Sequence, residues 1–180
     1  MTEGFLFDRA VIDAGLLRLD EVLVERSLPR QRLVVVGGSY LALADLRHAT
    51  RDIDTITRIT DAIRLAIDAV ASELGFPEGW LNDRAAAFAP IGLVEKSCSS
   101  AFEGTSLTVL LPSPDWVFLM KLFAGRAVDR SDLIRLWPIA GFSSPEEAVE
   151  RYKDAYPHAP EDEYLVEYVA DIAARAGFTQ

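Results

Sequence analysis

The sequence predicts an α/β (α+β) fold in which a small mixed sheet is flanked by helices and followed by a C-terminal helical part. Three observations carry this. An unbroken apolar run over residues 33–36 stands directly before Gly37-Gly38-Ser39, which reads as a strand buried on both faces and ended by a sharp turn. A second β-branched run opens at Asp52-Ile53-Asp54, and residues 106–111 form a third, stopped by Pro112 and Pro114. Between and after these runs, apolar residues recur at helical spacing and not in alternation.

Taken in order, residues 7–26 place Val11, Ile12, Leu16, Leu17, Val22, Leu23 and Val24 near a helical period, giving one leading helix or a pair, closed by Ser27-Leu28-Pro29. After the first strand, a helix over residues 39–46 presents Leu41, Ala42 and Ala44, small enough to pack close to a sheet. Residues 60–74 form a helix with Ile63, Leu65, Ala66, Ile67, Val70 and Leu74 as its apolar residues, Thr60 or Asp61 as N-cap and Gly75 as stop. Residues 77–83 read as a loop, and 85–100 fit no single pattern. Ser113, Pro114 and Asp115 start a helix that runs to about residue 124. Its apolar residues nearly encircle it, so it is largely buried. Pro138 and Gly141 break the chain before Ser144-Pro145-Glu146-Glu147 opens another helix, and residues 164–174 form the last.

A chain of 180 residues, half of them apolar, is long enough for one well-buried core. The organisation expected is a core with leading helices over residues 1–137 and acidic helices packed on it over 138–180. Neither a secretory signal nor an apolar stretch of membrane-spanning length is present in the sequence, so a cytoplasmic location and no membrane partner are expected. The lone Cys98 permits no internal disulfide, and with His48 and His158 as the only imidazoles a His/Cys metal site is not expected. Six of the ten net negative charges fall in residues 140–180. That balance argues against a non-specific nucleic-acid binder. Arg26, Arg30, Arg32, Arg47, Arg51 and Arg58 nevertheless lie near the glycine turn in sequence, as either a local basic face or a solvated mixed-charge surface.

The chemistry concentrates around that turn. Glycines let the backbone approach a ligand closely, and a helix start presents open N–H groups to a phosphate. Asp52 and Asp54, two apart on a strand, share a face about 7 Å apart. Side-by-side carboxylates repel unless a cation lies between them, and hard oxygen ligands suit Mg²⁺ carrying a nucleoside triphosphate (NTP). Lys121, buried in its helix, needs an anionic partner. Asp115, a surface acid reached by snorkelling, and a nucleotide phosphate are the candidates. Tyr152, Tyr156, Tyr164 and Tyr168 read either as packing residues with wet hydroxyls or as a base-stacking set.

Gly38-Ser39, twelve intervening residues and then Asp-x-Asp resembles the signature of the minimal nucleotidyltransferase fold of the DNA polymerase β superfamily. The Trp80-Leu81-Asn82-Asp83 run is similar to one in this type of nucleotidyltransferase, although a packed Trp with an Asx turn also explains it. Asp115-x5-Lys121, then Ala124-Gly125-Arg126 and Asp129-Arg130-x-Asp132-Leu133, resembles the later motifs of AbiEii-like and MenT-like nucleotidyltransferase toxins. The resemblance spans residues 33–137, with 60–106 matched only in layout. It implies that Gly38 and Ser39, with Arg51 alongside, hold the triphosphate, that Asp52 and Asp54 hold Mg²⁺, that Lys121 meets phosphates, and that Asp129 or Asp132 is the last catalytic acid. One departure is plain: many superfamily polymerases carry a third carboxylate on a neighbouring strand, and residues 106–111 hold none.

The expected function is therefore Mg²⁺-dependent transfer of a nucleotide from an NTP to an acceptor. By the same resemblance, the acceptor is a tRNA 3′ end and the enzyme is the toxin of a pair with a cognate antitoxin. Beside it stand a degenerate nucleotide- or partner-binding α/β protein and a nucleotidyltransferase acting on protein.

Overall fold

The computed structural model describes residues 4–177. Its contacts divide the chain into two compact units, one running up to Phe88 and including Cys98–Pro112, the other formed by Ala89–Ser97 and the chain from Ser113 onward.

The first unit is a mixed five-stranded sheet with helices. Strand β1 (Phe7–Asp8) leads into a single helix α1 (Arg9–Glu25), capped by the Asp8 carboxylate, which accepts from the Val11 N–H at 2.9 Å. Strand β2 (Gln31–Val36) runs straight into α2 (Gly37–Leu43), two residues earlier than the apolar pattern suggested. Then come β3 (Ala49–Thr50), β4 (Ile53–Thr55), α3 (Asp61–Leu74), β5 (Leu81–Asn82), β6 (Ser99–Glu103) and β7 (Leu107–Leu111). The sheet order is β5-β4-β2-β7-β6, while β1 and β3 pair separately. β2 is central, parallel to β7 and antiparallel to β4, with Val36 opposite Asp54. β5 runs parallel to β4 and sets Asn82 opposite Asp54.

The core explains the pattern. Leu33 and Val35 of β2, Leu107 and Val109 of β7, Ile12, Leu16, Leu19 and Leu23 of α1, and Ile63, Ala66, Ile67 and Val70 of α3 are all buried together. Each large side chain so buried contributes about 1.5–3 kcal/mol. Trp80 is fully buried, and its indole N–H donates to the Ile67 carbonyl at 3.0 Å. Residues 77–83, expected to be wholly loop, therefore include an edge strand, because the packed Trp pins the chain beside β4.

The second unit is helical: α4 (Pro114–Ala124), α5 (Arg130–Ala140), α6 (Pro145–Ala155) and α7 (Leu165–Gly177), with a short 3-10 turn at Ala127–Asp129. Pro138 does not break the chain as expected. It lies inside α5, close enough to the end that little of the hydrogen-bond ladder is forgone, and the helix stops at Gly141. The Ser144 hydroxyl accepts from the Glu147 N–H, and Glu147 in return accepts from the Ser143 N–H. Tyr156 stacks on Phe123 at 4.1 Å, with Tyr152 beside it. Burial raises the Tyr156 hydroxyl above its ordinary pKa. These two tyrosines are packing residues in this structure. Among the described residues, no helix is long and apolar enough to cross a membrane.

Candidate functional site

Gly37 is the residue on which the first cluster turns. Its φ of +68° lies in the left-handed region, where a side chain is strained. A Cβ there would also lie 2.9 Å from Oδ2 of Asp54. At Gly38 a Cβ would lie 2.5 Å from the Thr50 hydroxyl and 3.3 Å from the Arg47 guanidinium. The pair therefore permits both the turn and the approach of β2's end to the Asp54 carboxylate. Ser39 is completely buried. Its hydroxyl donates to the Val36 carbonyl at 2.8 Å and accepts from the Asp54 N–H at 3.3 Å. Its one proton is thus used on the end of β2, while its oxygen ties the turn to β4. The helix that follows is seven residues long, so its dipole is a small one.

Asp54 lies within β4, half-buried, whereas Asp52 falls in the bend just before it. The register carries no third carboxylate to Asp54: its sheet partners are Val36 and Asn82. Asp52 is about one-third exposed and meets two groups that the sequence reading did not single out. The Asn82 amide approaches its Oδ2 at 3.5 Å, and Arg84 Nη2 stands 3.7 Å from the same oxygen. Asn82 Oδ1 accepts from both the main-chain N–H and Nε of Arg84 at 3.1 Å. The only signal for this pair was the Trp-Leu-Asn-Asp run. The Asx turn expected there is present, and it also places an amide and a guanidinium beside the acids. Asp83 faces elsewhere, accepting from the Ile59 N–H and from Arg64. These bonds, the Ile59 N–H foremost, hold its carboxyl below the usual range.

Thus Gly37, Gly38, Ser39 and Asp54 come together in the first unit, while Asp52, two residues before Asp54, faces Asn82 and Arg84. A model of one family, described as a nucleotidyltransferase of unknown function (DUF6036), matches residues 14–137. The chain belongs to this nucleotidyltransferase family. Neither the curated proteins nor the solved structures yield a match. The match spans the glycine turn, both acids and the whole of α4.

The second cluster of this nucleotidyltransferase lies in its helical unit. Lys121 of α4, expected to meet Asp115, a surface acid or a ligand phosphate, is instead bound by two acids of its own unit. Its Nζ is 2.7 Å from Asp129 Oδ1 and 2.9 Å from Asp132 Oδ2, and all three side chains are about 4% exposed or less. Arg126 Nε lies 2.7 Å from the other oxygen of Asp129, and Arg135 Nη1 3.4 Å from the other oxygen of Asp132. Every carboxylate oxygen of the pair thereby faces a cation. Burial alone would raise the Asp129 carboxyl, but the hydrogen bonds and charges of Arg126 and Lys121 outweigh it and hold that group below its ordinary range. Asp115 pairs with Arg151 at 2.7 Å. Sequence spacing disfavoured an Asp115–Lys121 pair on one helix, yet it did not identify acids eight and eleven residues later as the partners.

Proposed function

We propose that the enzyme transfers a nucleotide from an Mg²⁺-bound NTP to the 3′-hydroxyl of a tRNA, as the toxin of a toxin–antitoxin pair. The observation that carries the nucleotide chemistry is the arrangement at Gly37. The turn that would face the triphosphate lacks the Cβ that would crowd Oδ2 of Asp54, and Ser39 of the same turn holds the Asp54 main chain in place. The donors present fit Mg²⁺: two aspartates supply hard oxygens, and NTP phosphates and water would complete the shell. Such an ion, when bound, stabilises the attacking and leaving oxygens of an in-line displacement. Asp52 and Asp54 would hold it. The turn's N–H groups would orient the triphosphate, which raises the local concentration of reacting groups in productive geometry.

For Lys121, Asp129 and Asp132, the resemblance suggests phosphate binding and a last catalytic acid. Their mutual ion pairing gives them a stabilising role as well, and a Lys121 variant separates the two. The tRNA acceptor rests on the toxin resemblance and on Arg47 and Arg51, which are exposed near the turn. Arg126 and Arg130 are engaged by Asp129 and Asp171 and add little to such a basic face.

One observation favours a second reading. Neither sheet partner of Asp54 is an acid, since Val36 and Asn82 stand opposite it, as would suit a member that binds nucleotide without transferring it. Incubating the protein with each labelled NTP, Mg²⁺ and total tRNA, with Asp54→Asn as control, decides. Label on tRNA that vanishes in the variant supports the proposal. NTP binding without transfer supports the second reading, and label on protein instead of tRNA removes the RNA acceptor alone.

A further inference from the structure

Arg84 stands where neither the motifs nor the family match places a functional residue. Its side chain is 71% exposed, and its guanidinium is 3.7 Å from Asp52 Oδ2, too long for a direct hydrogen bond. Ion pairs this exposed and this long hold weakly. Asn82 is only 5% exposed, and it is anchored through its amide near the Ile53 and Gly79 carbonyls at 3.5 and 3.4 Å. Its Oδ1 holds Nε of Arg84 at 3.1 Å. The guanidinium is thus tethered at one nitrogen by a buried residue, while its terminal nitrogens reach over one of the two acids.

We infer that Arg84 is a nucleotide-binding residue: a displaceable counter-cation of Asp52 that transfers its guanidinium to the triphosphate when Mg·NTP arrives, with Asn82 as its pivot. This rests on the proposed nucleotidyl transfer. Two features support it. Asp52 cannot serve a metal ion and an arginine on the same oxygen at full strength, so the weak contact is one that a divalent ion readily replaces. The released guanidinium is planar and carries five donors suited to phosphate oxygens. Its tether confines it to phosphates next to Asp52, which are those of the nucleotide.

The test compares wild type with Arg84→Ala and Arg84→Lys in two measurements. The first is binding of Mn²⁺ alone, followed by the spin-resonance signal of the free ion. The second is KM and kcat with Mn·NTP or Mg·NTP. Arg84→Ala is expected to bind Mn²⁺ more tightly, because a competing cation is gone, and to raise KM about tenfold, the loss for one charge-assisted hydrogen bond, with kcat changed less. Arg84→Lys should fall between. Opposite signs in the two measurements are what a merely structural role cannot produce. If Arg84→Ala leaves both unchanged, or weakens both together, the inference is overturned while wild-type transfer still stands. If wild type neither binds Mn·NTP nor transfers, the proposed function and this inference fall together.

Discussion

Gly37 and Asp54 stand so close that a Cβ on the glycine would lie 2.9 Å from the aspartate's Oδ2. Gly37→Ala therefore meets two penalties, a left-handed backbone and a displaced carboxylate. The first costs about 1 kcal/mol or more. The second falls on the chemistry. The variant should fold, with a melting temperature lowered by a few degrees, and lose far more transfer activity than that shift accounts for. Calorimetry beside a transfer assay checks this, and near-normal activity would remove the turn from the site.

Asp52→Asn and Asp54→Asn should each abolish transfer while leaving the fold intact. Without metal they should be as stable as wild type or slightly more so, since a repulsive pair has been relieved. Mg²⁺ with NTP should raise the melting temperature of wild type, as a ligand binding only the folded state must, and should not raise that of Asp54→Asn. Full activity in Asp54→Asn would end the metal assignment.

Lys121→Met removes the shared cation of two buried carboxylates. Breaking a buried pair in this way costs about 3–5 kcal/mol, so urea denaturation should show a large loss of stability at neutral pH. The same cluster gives a pH signature. The Asp129 carboxyl is held below its ordinary value in the folded state. Its stabilising contribution is therefore fully present above the unfolded pKa, near pH 4, and is lost as pH falls through the lower folded value. Acid denaturation of Asp129→Asn should lack that component. A stable Lys121→Met variant with impaired NTP use would instead assign the lysine to substrate.

Asp20 serves the fold alone. Its carboxylate accepts from the main-chain N–H groups of Thr105, Ser106 and Leu107 at 3.0, 2.6 and 2.7 Å, fastening α1 to the β6–β7 turn. Asp20→Ala leaves these donors without their acceptor and should cost about 3 kcal/mol. Hydrogen exchange should show early loss of protection at the Leu107 amide.

If tRNA is the acceptor, docking rests on few basic residues. Transfer to tRNA should weaken steeply between low and physiological salt. Arg47→Glu or Arg51→Glu should lower tRNA labelling more than NTP binding. Equal loss in both would place these arginines at the nucleotide instead.

What local chemistry dictates was legible in the chain itself. The apolar run over residues 33–36 became β2, and the Gly-Ser and Asp-x-Asp spacing pointed to the nucleotidyltransferase family; of the apolar residues read into α3, Ile63, Ala66, Ile67 and Val70 became its buried face while Leu65 and Leu74 are exposed. These signals survive because period, capping and glycine turns depend on neighbours a few residues away. Pro138 misled because its local effect depends on how much helix lies beyond it.

Only the tertiary structure decided what stands beside what. Lys121 finds Asp129 and Asp132 because α4, the 3-10 turn and α5 fold back on one another, a pairing that no single helical period encodes. Asn82 reaches Asp54's side through the β4–β5 register, which Trp80 fixes by being buried between helices and sheet, and Arg84 follows through the Asx turn. Sheet register and helix packing are sums over many contacts distant in sequence, so a side chain's partners emerge only once the whole unit is assembled.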